Sequence, residues 1–203
     1  KELGFEARQQ AEAEGIDEWD ELVKWASGSP PGARGAMFLP HMSAAGCPVV
    51  DGRSLGTFAG LSNFVTKGDL LRAIYEGLDY QFLDIVNAME AGLGTAFDRF
   101  VAVGGAVRNA FWMQNKADVV GRPIEVPDVE EATPLGAAIL AGIGVGLYED
   151  EDDAYEHVRR AGKTYEPDRD LSAQYAEWFS IYKQLYPAMK PISHRLFAQF
   201  LAE

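Results

Sequence analysis

Cysteine is almost absent: Cys47 is the single one among 203 residues. That excludes an intrachain disulfide and fits a reducing cytoplasm. Cations are also scarce, 18 Lys and Arg against 31 Asp and Glu, for a net charge of −13. Phosphate backbones need a concentrated basic surface, so this balance argues against nucleic-acid binding and equally against an anionic membrane surface. No apolar run approaches the roughly 18 residues that span a bilayer. The three histidines, His41, His157 and His194, stand far apart and, with Cys47, show no zinc spacing. Nothing repeats and no stretch is low in complexity. The opening Lys1-Glu2-Leu3-Gly4-Phe5 lacks both a methionine and a signal-peptide core, so the chain reads as a truncated or processed product.

What is present is an ordinary globular composition, 47% hydrophobic and 24% charged, with length for one large domain. A short amphipathic helix is expected from about Glu12 to Ala26, ended by Gly28-Ser29-Pro30-Pro31-Gly32. Ala36–Leu39 and Leu55–Leu61 read as strands around a polar loop. The longest helix starts at Thr66, with Asp69 as its capping-box partner, and stops at Gly92 and Gly94. Its expected buried stripe is Leu71, Tyr75, Leu78, Phe82, Ile85 and Met89. Phe100–Val103 is a strand, Gly104-Gly105 a turn, Asn109–Val120 a helix ended by Gly121, and Ile124–Val126 a strand. Thr133-Pro134 reads as cap and first residue of a small apolar helix deep in the core. Helices follow from Ala154 to Ala161, from Leu171 to Tyr186, and after Pro191. Strands alternating with helices give an α/β fold. Three or four strands against six or seven helices imply a sheet whose other strands lie upstream of Lys1.

The strongest chemical signal is the order strand, Gly104-Gly105, helix. Such a turn presents unpaired N–H groups and the positive end of a helix dipole, and glycines leave the backbone accessible. Nucleotides are common guests there; a tight turn without a ligand is the plainer alternative. No Gly-Lys-Ser/Thr follows, so it is not a Walker loop, and the glycine spacing is not that of a dinucleotide fingerprint. Asn109 serves as a cap, a ligand contact or both, because its amide carries donors and acceptors. Gln114 and Asp118 are expected to lock this helix to its neighbours.

Other signals carry less. Gly142, Gly144 and Gly146 follow a helix instead of a strand and read as a helix terminus. The acidic run Glu149–Asp153 lacks the ligand spacing of a calcium loop and reads as a solvated helix start. Cys47 reads as a small buried residue. Trp178, Phe179, Tyr182, Leu185 and Tyr186 form an apolar helix stripe, a core or domain contact.

Three stretches together resemble the FGGY carbohydrate kinases. Gly56-Thr57-Phe58-Ala59-Gly60-Leu61, then seven residues, then Asp69-Leu70-Leu71-Arg72-Ala73-Ile74-Tyr75-Glu76 is similar to that family's second signature. Val103-Gly104-Gly105-Ala106-Val107-Arg108-Asn109, with Trp112, Gln114 and Asp118, resembles its adenosine motif. Glu131-Ala132-Thr133-Pro134-Leu135-Gly136-Ala137-Ala138 resembles a third family segment.

The resemblance implies an α/β, helix-rich, actin-like (ribonuclease H-like) ATPase fold. Residues 1–203 would be the C-terminal nucleotide-binding domain of a two-domain kinase, without its first strands. It implies ATP and Mg²⁺ as cofactors, with Gly104, Gly105, Ala106 and Asn109 at the adenosine, and Gly136 and Ala137 packing a helix beside it. The substrate would be a ketose or polyol, a xylulose-like pentulose first, with fuculose, ribulose and glycerol as alternatives. The catalytic Asp, the phosphate turns and the Mg²⁺ carboxylate match nothing in this chain, so no catalytic or metal-ligating residue is expected here and the chain alone should not transfer phosphate. The partners would be the sugar and the chain's own N-terminal domain, with a homodimer as one option. A regulatory or assembly module without phosphoryl transfer is the alternative. One departure is local: Ala45-Gly46-Cys47-Pro48 lacks the charged pair many members carry, so docking of that loop should differ.

Overall fold

The computed structural model describes residues 4–129, 131–158, 160 and 162–201. It opens with two helices, α1 (Phe5–Glu14) and α2 (Glu18–Ser27), where a single one was expected. Gly15 ends α1 in the left-handed conformation, φ 70°, with its N–H on the Ala11 carbonyl. Asp17 restarts the chain as an N-cap that accepts from the Trp19 N–H at 2.8 Å. Strands β1 (Met37–Leu39) and β2 (Thr57–Ala59) pair antiparallel, with the rings of Phe38 and Phe58 4.6 Å apart.

Helix α3 (Lys67–Leu93) begins with the expected capping box: the Thr66 hydroxyl accepts from the Asp69 N–H, and Asp69 Oδ2 accepts from the Thr66 N–H at 2.7 Å. Gly94 caps its end at φ 68°. The expected stripe is only half-buried, and Met89 is exposed. The innermost positions are Asp69, Arg72, Ala73, Glu76, Gly77, Asp79, Tyr80, Leu83 and Val86. Neighbours cover α3 on most sides, and its buried charges are paired, so an apolar-only pattern misplaced its face. Gly77 lets the helix meet β1, since a Cβ there would collide with the Phe38 carbonyl.

Strand β3 (Phe100–Val101), shorter than expected, pairs parallel with β4 (Ile124–Val126). On the other side of β4 lies antiparallel β5 (Lys163–Tyr165), which no pattern announced. Helix α4 (Ala110–Val120), ended by Gly121 at φ 68°, packs on this sheet through Met113 and Ala117 against Ile124 and Tyr165.

Helix α5 (Ala132–Gly144) is a correction. Thr133 and Pro134 fall inside its first turn, Glu131 precedes it with no side-chain cap, and only Gly142 is buried. Leu140 is 65% exposed. The helix packs against α6 (Glu151–Val158) and, at Gly142, against the Tyr148 ring; its apolar composition does not mean that it is covered. Glu151, Asp152 and Asp153 occupy the first turn of α6, and Asp150 accepts from the Asp153 N–H at 2.9 Å, as a solvated helix start requires. The expected extension of α6 to Ala161 reaches residues 159 and 161, which lie outside the described residues.

Helix α7 (Arg169–Phe200) runs unbroken through Pro187 and Pro191, against the expected break. Both prolines are exposed, away from the core, and the buried face of Tyr175, Phe179 and Tyr182 holds the helix together. These three side chains meet Leu39, Tyr80, Leu83, Val119 and Val120 in the main core.

The loop 40–56 docks on α3 and α7. Asp51 accepts from Tyr186 Oη at 2.9 Å, contacts His194 Nε2 at 2.7 Å and takes the Arg53 N–H at 3.0 Å. Gln81 Nε2 donates to the Cys47 carbonyl at 2.6 Å. Cys47 itself is exposed, not buried, because its backbone and not its thiol makes this contact. The His194 contact, aided by the Arg53 N–H and Tyr186, holds the Asp51 carboxyl down to about 2. A pKa below the unfolded value gives stability that is present above about pH 4 and lost as pH falls to about 2. In acid titrations followed by circular dichroism, Asp51→Asn should flatten the loss of stability over that window.

Candidate functional site

The chain leaves β3, passes Gly104 at φ 94° and ψ −174°, and turns through a short 3₁₀ segment, Gly105–Arg108, to the cap Asn109. An L side chain rarely adopts the Gly104 conformation, which explains glycine there. Gly105 shows no positive φ, so its lack of a side chain serves space and not geometry. Among the described residues, no atom beyond the chain neighbours lies within 4 Å of where a Cβ would stand on either glycine, and Gly104, Gly105 and Ala106 are exposed. Among the described residues, the N–H groups of Gly105 and Ala106, first in the turn, find no backbone acceptor. The turn is thus an open cradle of backbone donors at the carboxyl end of a parallel strand.

Asn109 has settled roles within the chain. Its Oδ1 accepts from the Trp112 N–H at 3.0 Å, and its Nδ2 donates to Tyr75 Oη at 3.3 Å. Capping is therefore observed, and one amide N–H remains unassigned. Tyr75 packs its ring against Phe111 and Trp112, with centroids 5.6 and 5.4 Å apart.

Behind this turn α4 is bolted down. Gln114 Nε2 donates to Asp118 Oδ1 at 2.9 Å and to the Glu166 carbonyl at 2.8 Å, and the Asp168 N–H also reaches Asp118, at 2.9 Å. Burial raises the Asp118 pKa. Asp168 in turn caps α7, so one carboxylate ties α4 to the start of α7, as expected of Gln114 and Asp118.

Two further groups were missed. Asp79, fully buried, accepts from Trp112 Nε1 at 2.9 Å, Asn115 Nδ2 at 2.8 Å and Lys116 Nζ at 2.6 Å. Burial outweighs these partners and raises its pKa to about 6. Next to it, Arg72 donates through Nε to Glu76 at 2.8 Å, through Nη1 to the Ser29 carbonyl at 2.7 Å, and through Nη2 to Tyr175 Oη and Asn115 Oδ1. Glu76 also takes the Gly32 N–H at 2.9 Å, and its burial pushes its pKa up. The available signal was Arg72 and Glu76 at a four-residue spacing, with Asp79 one turn on, inside a helix expected to bury only apolar residues.

Gly136 and Ala137 are not packed as expected. Gly136 has nothing within 4 Å of its Cβ position and Ala137 is exposed, among the described residues. Nor, among those residues, do three or more His, Cys, Asp or Glu side chains converge as metal ligands would. Among the described residues, no helix is long and apolar enough to cross a membrane.

Residues 2–145 match the C-terminal domain of the FGGY family of carbohydrate kinases. The chain belongs to this family. A xylulose kinase of Staphylococcus epidermidis is 29% identical over 177 residues, which cover 87% of the chain and 36% of the relative. A glycerol kinase of Halobacterium salinarum is 36% identical over 147 residues, 71% of the chain and 29% of the relative. The crystal structure of a xylulose kinase from Rhodospirillum rubrum superposes with a TM-score of 0.76 at 30% identity, over 95% of this chain and 38% of that one. This FGGY chain thus has the actin-like ATPase fold of these kinases and spans about a third of the length of the relatives it matches.

Proposed function

We propose that this FGGY domain binds ATP for phosphorylation of a ketose or polyol, a xylulose-like pentulose first, with the adenosine on Gly104, Gly105, Ala106 and Asn109. The observation that carries the reading is the open cradle. Backbone donors at the end of β3 lie exposed, with free space where side chains would stand. That suits a ligand that must approach the main chain closely. The resemblance of Val103–Asn109 to the family's adenosine motif points to the same place, and relatives named xylulose kinase and glycerol kinase supply the two substrate classes.

In this reading residues 1–203 are the nucleotide-binding domain. A second domain supplies the base that takes the hydroxyl proton and the turns that hold the phosphates. Mg²⁺, held by carboxylates outside this chain, neutralises phosphate charge when bound. The role of the present residues is to bind and orient the adenosine end, so that the γ-phosphate is aligned with the acceptor hydroxyl.

The test is an ADP-release assay of the intact gene product against a panel of ketoses and polyols. Sugar-dependent turnover is expected, fastest with a pentulose. No turnover with any member, or robust turnover by residues 1–203 alone, would overturn the proposal.

A further inference from the structure

We propose that Tyr75 is a positioning residue for the nucleotide turn, fixing the plane of the Asn109 carboxamide, whose orientation the Trp112 N–H selects, so that α4 offers the base a fixed hydrogen-bonding edge. The inference rests on the reading of that turn as an adenosine site and adds how its base selectivity is set.

A carboxamide can present donor and acceptor in either of two orientations, and only its neighbours choose between them. Here both ends are committed. The oxygen faces the Trp112 N–H at 3.0 Å, and the nitrogen faces Tyr75 Oη at 3.3 Å. Reversing the amide would set NH₂ against the Trp112 backbone N–H, a clash of two donors, so that N–H selects the orientation, while the phenol, able to donate or accept, fixes the plane of the group. The phenol is itself fixed. Its ring meets Phe111 nearly edge-on, at 83°, and leans on Trp112, whose Nε1 is held by buried Asp79 at 2.9 Å. A chain of contacts therefore runs from the interior of α3 to the last residue of the turn. One N–H and one oxygen lone pair of Asn109 are left for the base. Adenine presents an amino donor beside a ring acceptor and matches an asparagine edge. Guanine presents the reverse pattern and would need the reversed amide.

The test is equilibrium titration of the intact protein with ATP, GTP and inorganic tripolyphosphate, for wild type, Tyr75→Phe, Asn109→Ala and the double variant. Tyr75→Phe keeps the ring and its packing and removes one neutral hydrogen bond. It should weaken ATP binding about 3- to 10-fold, narrow the preference for ATP over GTP, leave tripolyphosphate binding unchanged, and add nothing in the Asn109→Ala background. Asn109→Ser, which keeps a capping oxygen but has no carboxamide edge, should match Asn109→Ala in ATP binding and serves if that variant folds poorly. Normal ATP affinity and base preference in Tyr75→Phe, with a loss in Asn109→Ala, would overturn the Tyr75 role and leave the adenosine site standing. A parallel loss for tripolyphosphate, or additive losses in the double variant, would also overturn it, as general damage. Unchanged ATP binding in Asn109→Ala would instead overturn the adenosine reading.

Discussion

Asp79→Ala is expected to lower the unfolding free energy by about 3–5 kcal/mol, the cost of removing one partner from a buried charged pair. The carboxylate is fully buried and satisfies Trp112 Nε1, Asn115 Nδ2 and Lys116 Nζ together. Alanine leaves three donors facing a void, one of them cationic. Urea unfolding followed by circular dichroism measures the loss. Asp79→Asn separates shape from charge, because it keeps one acceptor and costs less. The pH dependence carries a second signature. The pKa of Asp79 in the folded chain, about 6, lies above its ordinary value of 3.8. Between these pH values the folded chain keeps a proton that the unfolded chain has released. Stability therefore falls as pH rises from about 4 to about 6, by an amount on the order of a few kcal/mol. Asp79→Asn should remove that slope. A slope that persists in Asp79→Asn would assign it to another group.

Gly105→Val should reduce ATP affinity of the intact protein roughly 10- to 100-fold, the loss of one or two backbone hydrogen bonds, while the fold stays intact. The two glycines of the turn differ in a way that makes this substitution clean. Gly104 sits at φ 94°, where any side chain strains the backbone, whereas Gly105 has no positive φ and open space around its Cβ position. Valine at 105 therefore costs the structure little but fills the cradle. Calorimetric titration with ATP and a thermal melt read the two effects separately. Unchanged ATP affinity would remove the turn from the nucleotide site, and a large drop in melting temperature would show that Gly105 supports the fold instead.

Local chemistry made many elements legible. The Thr66 and Asp69 capping box, Gly121 after α4, the Ile124–Val126 strand and the Gln114–Asp118 lock each depend on residues close in sequence, whose geometry follows from a few neighbours. The misplaced features depend on what lies across from an element. The buried face of α3 is polar because Arg72, Glu76 and Asp79 find partners 33 to 103 residues away. The apolar helix α5 is exposed because little packs on it, and α7 survives its prolines because Tyr175, Phe179 and Tyr182 anchor its other face. Strand β5 is three residues long, and only its partner β4 defines it. Of the candidate site, the order strand, Gly-Gly, helix was plain, whereas the grip of Tyr75 on Asn109 joins residues 34 positions apart and no spacing rule reaches that far.

The uncovered side of α5 has a colloidal consequence. Leu140, Val145 and Leu147 are 65, 82 and 69% exposed, and Val101 and Val103, at the rim of the three-stranded sheet, are more than half exposed. Such greasy ground invites self-association. Repulsion between molecules bearing a charge of −13 works against it. Dissolved salt shortens the reach of that repulsion to about 8 Å at 0.15 M and leaves the stickiness in place. Ionic strength therefore decides which of the two governs a concentrated solution of residues 1–203.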